Sequence, residues 1–210
     1  MKIICGLFLV SFLTACQSSL VADLVTQSGQ ALYHDDFSDP SSGWRQTVGE
    51  NGTLGYADGA YQMLVKSAGY DLWALSGQAY EDVQIEVDAT RLTGPLNNRL
   101  GLICRFQDIG NFYFFIISSD GYYAIGNKSN GTGSLLGQET MAYSSFIHQG
   151  NTNHLRFDCI GNSLTGSVNG QVIAITNDAA ISSGDAGLIT GTFDEGGVQV
   201  SFDNFVVIKP

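Results

Sequence analysis

The sequence predicts an all-β protein built as a two-sheet antiparallel sandwich. After Leu32, apolar and polar residues alternate with a period of two, and runs of β-branched or aromatic residues recur between glycine, asparagine and aspartate residues. The 26 glycines and only 3 prolines suit a chain with many tight turns. Sustained helical periodicity is absent from the sequence, and its length of 210 residues favours a sandwich over a small barrel.

The strands are predicted where alternation or an apolar run is bounded by a turn signal. Turn dipeptides such as Asp58-Gly59, Asp120-Gly121, Asn130-Gly131 and Asn169-Gly170 separate them. The stretch Gly69–Trp73 lacks a clear pattern and is predicted to be a loop. The predicted strands are, in chain order, Gly59–Val65, Val83–Ala89, Leu100–Phe106, Phe112–Ile117, Tyr122–Ile125, His154–Cys159, Ser163–Val168, Gln171–Ile175 and Val198–Ile208.

The N-terminus has the pattern of an export signal. Lys2 is followed by the apolar stretch Ile3–Leu13, which is shorter than the roughly 20 residues that span a bilayer. The stretch ends in Leu-Thr-Ala-Cys, which resembles the lipobox of bacterial lipoproteins. That resemblance implies removal of residues 1–15, acylation of Cys16 and an extracytoplasmic, membrane-anchored protein. The alternative is an ordinary secretory signal with a chance cysteine.

The sequence divides the exported chain into a tether and one domain. Residues 16–30 are short, polar and rich in small side chains, which predicts a flexible tether. Residues 31–210 are long enough to bury a single sizeable core and are predicted to form one β-sandwich domain. The net charge of −11 argues against nucleic acid or anionic lipid headgroups as partners, because both would be repelled. Neutral ligands and cations are compatible with it.

Several short motifs resemble bacterial extracytoplasmic domains of the concanavalin A-like lectin/glucanase superfamily. Laminin-G-like modules and 3-keto-disaccharide hydrolase-like domains are the most similar in pattern, over about residues 33–209. The resemblance implies a jelly-roll arrangement of the two sheets, but lectins, hydrolases and inert spacers share that fold. The motifs are Asp35–Trp44, Tyr56–Tyr61, Gly101–Arg105, Asn111–Tyr113, Asp120–Tyr123, Val168–Gly170, Gly184–Gly187 and Phe202–Phe205.

A glucanase-type catalytic strand is present only in part. Jelly-roll glucanases resemble one another in a strand that reads Glu-x-Asp-x-x-Glu or the same motif without one spacer. The nearest match places Glu86 and Asp88 correctly but has Thr90 or Arg91 where the last carboxylate belongs. A retaining mechanism needs both an acid and a nucleophile. We therefore predict no catalytic residues and read Glu86 and Asp88 as parts of an exposed strand face.

Cys104 and Cys159 are predicted to form a disulfide. They are the two cysteines of the folded domain, which suits one bridge in an oxidising compartment. Alternation groups Leu102, Cys104 and Phe106 on one face, and it likewise turns Cys159 inward. In laminin-G-like sandwiches, strands in these positions tend to lie in opposite sheets, which implies a bridge across the core. The competing outcome is two buried free thiols.

Aromatic residues could form a shallow sugar-binding site, because aromatic faces stack on pyranose rings. The run Phe112–Ile117 is apolar on both faces, so either both faces are covered or one set lines a groove. Core packing is the alternative for every aromatic residue in a sandwich. The predicted ligand-binding residues are Trp73, Arg105, Tyr70, Phe112, Phe114 and Tyr122.

A structural calcium ion is the one cofactor that the sequence suggests. Asp35, Asp36 and Asp39 cluster before the first strand, and Asp203 lies in the last one. Terminal strands of a jelly roll usually pair, which could bring these oxygens together, and calcium takes 6–8 of them. The alternative is that these aspartates cap turns in solvent.

Taken together, these patterns predict a membrane-anchored, extracytoplasmic, non-catalytic module whose ligand is a neutral carbohydrate. A glycoside-cleaving jelly roll with an unrecognised site and a structural or protein-interaction module of the cell envelope are the alternatives. Carboxylates paired in a groove would favour the enzyme. An aromatic groove without such a pair would favour binding.

Overall fold

A computed structural model describes residues 29–210, which form strands and turns without an α-helix. The predicted signal, Cys16 and all but the last two residues of the predicted tether lie outside the described residues. No helix within residues 29–210 is long and apolar enough to cross a membrane. The strands are β1 (Ala31–Asp35), β2 (Thr47–Val48), β3 (Gly52–Ala57), β4 (Ala60–Val65), β5 (Asp71–Tyr80), β6 (Val83–Thr93), β7 (Asn98–Asp108), β8 (Asn111–Ile117), β9 (Tyr122–Ser129), β10 (Thr132–Leu135), β11 (Ala142–Tyr143), β12 (Asn153–Ile160), β13 (Ser163–Val168), β14 (Gln171–Asn177), β15 (Gly184–Thr192) and β16 (Val198–Ile208).

The strands form two antiparallel sheets packed face to face, as the sequence predicts. The nine-stranded sheet has the order β14-β13-β12-β6-β16-β4-β3-β2, and β1 also pairs with β16. The seven-stranded sheet has the order β10-β9-β8-β7-β15-β5, and β11 also pairs with β9. Neighbours in each sheet are often distant in sequence, which is the mark of a jelly roll rather than of a simple meander.

The core lies between the two sheets and follows from alternation along each strand. On β6, Val83, Ile85 and Val87 are buried and the residues between them are partly exposed. The facing strands of the other sheet contribute side chains such as Leu102 and Phe115, both fully buried. Burial of large aliphatic and aromatic side chains, at about 1.5–3 kcal/mol each, is the main force that holds the sheets together.

The predicted disulfide joins the two sheets. Cys104 on β7 and Cys159 on β12 are bonded, with their Cα atoms 6.7 Å apart and a sequence separation of 55. Both cysteines are fully buried in the core cluster. The bridge therefore crosses the core, since β7 belongs to the seven-stranded sheet and β12 to the nine-stranded one.

The prediction of a loop at Gly69–Trp73 is wrong in its second half. Asp71 begins β5, the edge strand that pairs with β15. The first residues of β5, Asp-Leu-Trp-Ala-Leu, contain no run of β-branched residues and are not bounded by a turn signal. These were the patterns that predicted the other strands. Strand β15 was also missed, because its glycines and threonines resemble a turn segment until pairing on both sides is known.

Candidate functional site

The outer face of the seven-stranded sheet carries a second apolar cluster, separate from the core. On β8, Tyr113, Phe115 and Ile117 point into the core, whereas Phe112 and Ile116 belong to this outer cluster. The two-sided apolar run of β8 therefore serves both faces of the sheet. The members of the outer cluster are Ile103, Phe112, Ile116, Ala124 and Ile189, with Trp73, Leu75, Phe106, Phe114, Leu135 and Met141 packed against them.

A groove of about 590 Å³ lies over this cluster. Trp73, Phe112 and Phe114 line it, and Tyr70, whose side chain is 40% exposed, lies at its rim. The Trp73 ring centroid is 6.4 Å from that of Phe112, so the rings form a connected aromatic surface. The volume of the groove lies within the range of about 300–1,000 Å³ that is common for ligand pockets.

Glycines on the groove side of the central strands give it depth. Gly101, Gly187 and Gly191 alternate with core residues on β7 and β15, so they face outward. A Cβ on Gly126 would lie 2.3 Å from the Phe114 Cζ atom. The Phe114 ring therefore lies over β9 in the space that a side chain would otherwise fill.

A polar pair closes one end of the groove. Arg99 Nε and Asp71 Oδ1 lie 3.0 Å apart across β15. A Cβ on Gly191, the residue between them, would lie 1.9 Å from Asp71 Oδ1, so the pair can meet only because this residue is glycine. The Arg99 guanidinium carbon also lies 4.6 Å from the centroid of the Phe193 ring, a cation–π contact that fixes its plane.

The polar pair keeps hydrogen-bonding capacity for a ligand. Although Asp71 Oδ1 and Arg99 Nε are close, neither atom has a hydrogen bond of acceptable geometry. Burial raises the pKa of the Asp71 carboxyl, and the positive charges of Arg99 and Lys128 oppose that rise. The Oδ1 and Nε atoms are themselves buried, but the Asp71 and Arg99 side chains are 37% and 21% exposed, so other atoms of the two groups can accept from and donate to a ligand in the groove.

The predicted ligand residues separate into two groups in the structure. Tyr70, Trp73, Phe112 and Phe114 come together in the groove. Tyr122 does not line it, and its ring packs against Tyr143 at a centroid distance of 5.7 Å. We assign Tyr122 no role in the groove.

The predicted placement of Arg105 on the open face is wrong. The pairing of β7 with β8 shifts register after Cys104, and Arg105 has a positive φ of 53°. This bulge breaks the alternation, so the Arg105 side chain turns inward and is 2% exposed, while Phe106, which was expected to face the core, joins the outer cluster. Arg105 Nε donates to the Glu81 carbonyl at 2.9 Å, and Nη1 donates to the Ile181 carbonyl at 3.0 Å.

The aspartates proposed for calcium act as turn caps. Asp36 Oδ1 accepts from the Ser38 backbone N–H at 3.0 Å, and Asp39 Oδ1 accepts from the Ser41 backbone N–H at 2.9 Å. These bonds and the serine hydroxyls lower the pKa of both carboxyls.

The remaining two calcium candidates also have local partners. Asp35 Oδ1 accepts from the Phe37 backbone N–H at 2.8 Å, and Asp203 Oδ1 accepts from the Asn204 backbone N–H at 2.7 Å. Strand β1 does pair with β16, as expected for terminal strands. Within residues 29–210, however, no three His, Cys, Asp or Glu side chains converge as metal ligands. Calcium binding stays a prediction without an assembled set of ligands.

The incomplete catalytic strand faces away from the groove. Glu86 and Asp88 lie on β6 of the nine-stranded sheet, on the face opposite its core residues. His154 Nδ1 lies 2.9 Å from Asp88 Oδ1, and Arg156 Nη1 lies 3.3 Å from Glu86 Oε1. Asn204 Nδ2 also donates to Asp88 Oδ2 at 2.9 Å, so both carboxylates belong to a polar network on the sheet surface.

Sequence reasoning missed Asp71, Arg99, Lys128 and Phe193, which also line the groove. A signal existed for Arg99 and Lys128, since each shares its strand face with a glycine two residues away, Gly101 and Gly126. Outward-facing glycines on central strands leave a trough in the surface of the sheet. A charged residue at the end of such a trough is a candidate for contact with a ligand. No comparable signal marks Asp71 or Phe193.

The chain matches no protein-family model and no curated protein sequence. Among solved structures, it is similar to the carbohydrate binding module CBM66 from Bacillus subtilis, with a TM-score of 0.64, 21% identity and coverage of 80% of this chain and 96% of that one. A Bacillus subtilis protein of unknown function with a galectin-like fold gives a TM-score of 0.63 at 12% identity, covering 87% and 97% of the two chains. The Bacillus licheniformis beta-glucanase gives 0.59 at 14% identity, covering 88% and 100%.

At sequence identities of 21%, 12% and 14%, these structural similarities show the fold alone. The chain is a two-sheet antiparallel jelly-roll β-sandwich, of the kind found in that carbohydrate binding module and in that beta-glucanase.

Proposed function

We propose that this protein binds carbohydrate without cleaving it, through the aromatic groove on the seven-stranded sheet. The observation that carries the proposal is the convergence of Trp73, Phe112 and Phe114 with the Arg99–Asp71 pair in one open groove. Apolar stacking surfaces beside a small number of oriented polar groups are what a sugar, with its apolar ring faces and hydroxyl edges, requires. The fold shared with a carbohydrate binding module supports the same proposal.

The acidic side chains favour binding over hydrolysis. Most glycosidases need two carboxyl groups that flank the scissile bond. Among the described residues that line the groove, Asp71 is the single carboxylate. Glu86 and Asp88, which resemble part of a glucanase motif, lie on the other sheet and are held by His154 and Arg156.

We further propose that the module is exported and anchored through acylated Cys16. The lipobox-like sequence before Cys16 supports the anchor, and the disulfide between buried cysteines suits an oxidising compartment. The first described strand, β1, belongs to the nine-stranded sheet, whereas the groove lies on the outer face of the other sheet. An anchor attached before β1 is therefore compatible with a groove that stays open.

The experiment is a glycan array probed with residues 29–210, followed by calorimetric titration of the best ligand. We expect Trp73→Ala to weaken binding by about tenfold or more, equivalent to about 1.4 kcal/mol, because it removes a stacking surface. Tyr143→Ala is the matched control, since Tyr143 is 58% exposed and does not line the groove.

Thermal unfolding of each variant separates loss of the site from loss of the fold. Trp73 also contacts Phe106 and Phe112, so Tyr70→Ala at the exposed rim serves as a second variant with less effect on packing. Equal affinity of wild type and both groove variants would reject the groove as the site. The absence of any glycan ligand would reject carbohydrate binding.

A further inference from the structure

The groove has a local charge opposite to that of the whole protein. The chain has 20 acidic residues against 9 lysines and arginines, for a net charge of −11. The charged residues that line the groove are Arg99, Lys128 and Asp71, which give two cations against one carboxylate. A groove with a positive balance is unexpected on a surface with so few cations.

Lys128 is the cation that the protein itself leaves unmatched. It lies on β9 opposite Phe112, and alternation places it on the groove face together with Ala124 and Gly126. No carboxylate within residues 29–210 forms an ion pair with Lys128, and its attraction to Asp71 acts over a longer distance. Lys128 is partly buried as a residue and lines the groove, so an anionic group of a ligand would supply the charged partner that the described residues do not.

Arg99 differs from Lys128 because the protein already uses its charge. Its Nε atom faces Asp71, Nη2 donates to the Thr192 carbonyl, and its plane covers the Phe193 ring. The Asp71 and Arg99 charges largely compensate each other. The net positive charge of the groove therefore belongs to Lys128.

We propose that the carbohydrate ligand carries an anionic group, a carboxylate or a sulfate, that binds at Lys128 while its sugar rings contact the aromatic floor. This inference rests on the proposed function and names the substrate class of the same groove. It replaces the neutral ligand expected from the net charge of the chain. The remote acidic residues do not prevent it, since ionic screening over about 8 Å at physiological salt leaves the nearest charges dominant.

The test uses pairs of glycans that differ only in the presence of a carboxylate or sulfate, immobilised on one array. Wild-type protein, Lys128→Gln and the control Lys66→Gln are compared, Lys66 being exposed and outside the groove. We expect the acidic member of a pair to bind best and Lys128→Gln to weaken it about tenfold, or about 1.4 kcal/mol. Binding of the neutral member should change less than about twofold, and Lys66→Gln should match wild type.

The outcomes separate this inference from the proposed function. Preference for carboxylated or for sulfated members supports it and identifies the anionic group. Equal binding of neutral and acidic members, or acidic binding that survives Lys128→Gln, overturns the inference and leaves carbohydrate binding intact. Binding of no glycan overturns both. Thermal unfolding of Lys128→Gln, expected to match wild type, shows that any loss is local.

Discussion

Arg105 ties together segments that are far apart in sequence. Its guanidinium donates to the Glu81 and Ile181 carbonyls at 2.9 and 3.0 Å, and it pairs with Asp82 at 3.1 Å. A buried guanidinium is tolerated because these acceptors replace water. Because of the bulge, the Arg105 side chain is buried instead of lying on the surface, and it links these segments close to the disulfide.

We predict that Arg105→Ala destabilises the fold by roughly 2–4 kcal/mol, because buried carbonyls lose their donors and a cavity remains. Chemical denaturation, followed by tryptophan fluorescence, measures the change in the free energy of unfolding. Arg45→Ala is the control, since Arg45 is exposed and its Nε contacts Thr47 Oγ1 at 3.3 Å. A loss of glycan affinity without a loss of stability in Arg105→Ala would contradict the buried placement.

At the scale of elements, strands β7, β8, β9 and β15 each serve two faces. Their inner side chains fill the core, and their outer positions form the floor of the groove, with large apolar residues on β8 and glycines among the outer residues of β7, β9 and β15. Most of the groove is therefore built on the strands of a sheet rather than on loops. Stacking surfaces that are held in place before binding lower the entropy cost of ordering side chains when a ligand binds.

The bridge between β7 and β12 gives the element-scale prediction. Replacing Cys104 and Cys159 by alanine should lower the free energy of unfolding by about 4 kcal/mol, the value of the chain-entropy model for the 55-residue separation. Denaturation of the double variant is compared with that of wild type under reducing and non-reducing conditions. Wild type with the bridge reduced should approach the double variant, and equal stability of all three forms would show that the bridge contributes nothing.

At the scale of the whole molecule, the first described strand and the groove belong to different sheets. Strand β1 pairs with β16 in the nine-stranded sheet, and the groove lies on the seven-stranded one. The anchor proposed at Cys16 would therefore be attached on the side of the nine-stranded sheet and leave the groove accessible. The acidic surface further reduces contact with anionic headgroups.

We predict that Cys16→Ser releases the protein from the membrane or stalls its processing, because serine offers no thiol for acylation. Detergent-phase partitioning of cells that express the full chain measures the change. Cys5→Ser, within the predicted signal, is the matched control and should partition like wild type. Unchanged membrane association of Cys16→Ser would remove the lipoprotein proposal.

The count of two domain cysteines and the resemblance to laminin-G-like sandwiches favoured the disulfide, with two free thiols as the alternative. The sequence by itself determined the fold class and the inward faces of most strands. These depend on alternation, which is a local property of the chain and can be read from neighbouring residues. Alternation also placed Phe112 and Phe114 on one face of β8, and the structure shows that this face is the outer one. It failed at Arg105 and Phe106, because β7 carries one extra residue relative to β15 at this bulge, and one extra residue reverses the side chains that follow it.

Only the tertiary structure decided which exposed residues form the groove. Asp71 and Arg99 are 28 positions apart in the sequence. They meet because β5 and β7 both pair with β15, and because Gly191 has no side chain to fill the space between them. The order of strands in a sheet depends on how the whole chain buries its apolar surface, which no local pattern specifies. For the same reason Tyr122 and Trp73, both predicted from the sequence to bind ligand, lie apart in the fold, and of the two only Trp73 lines the groove.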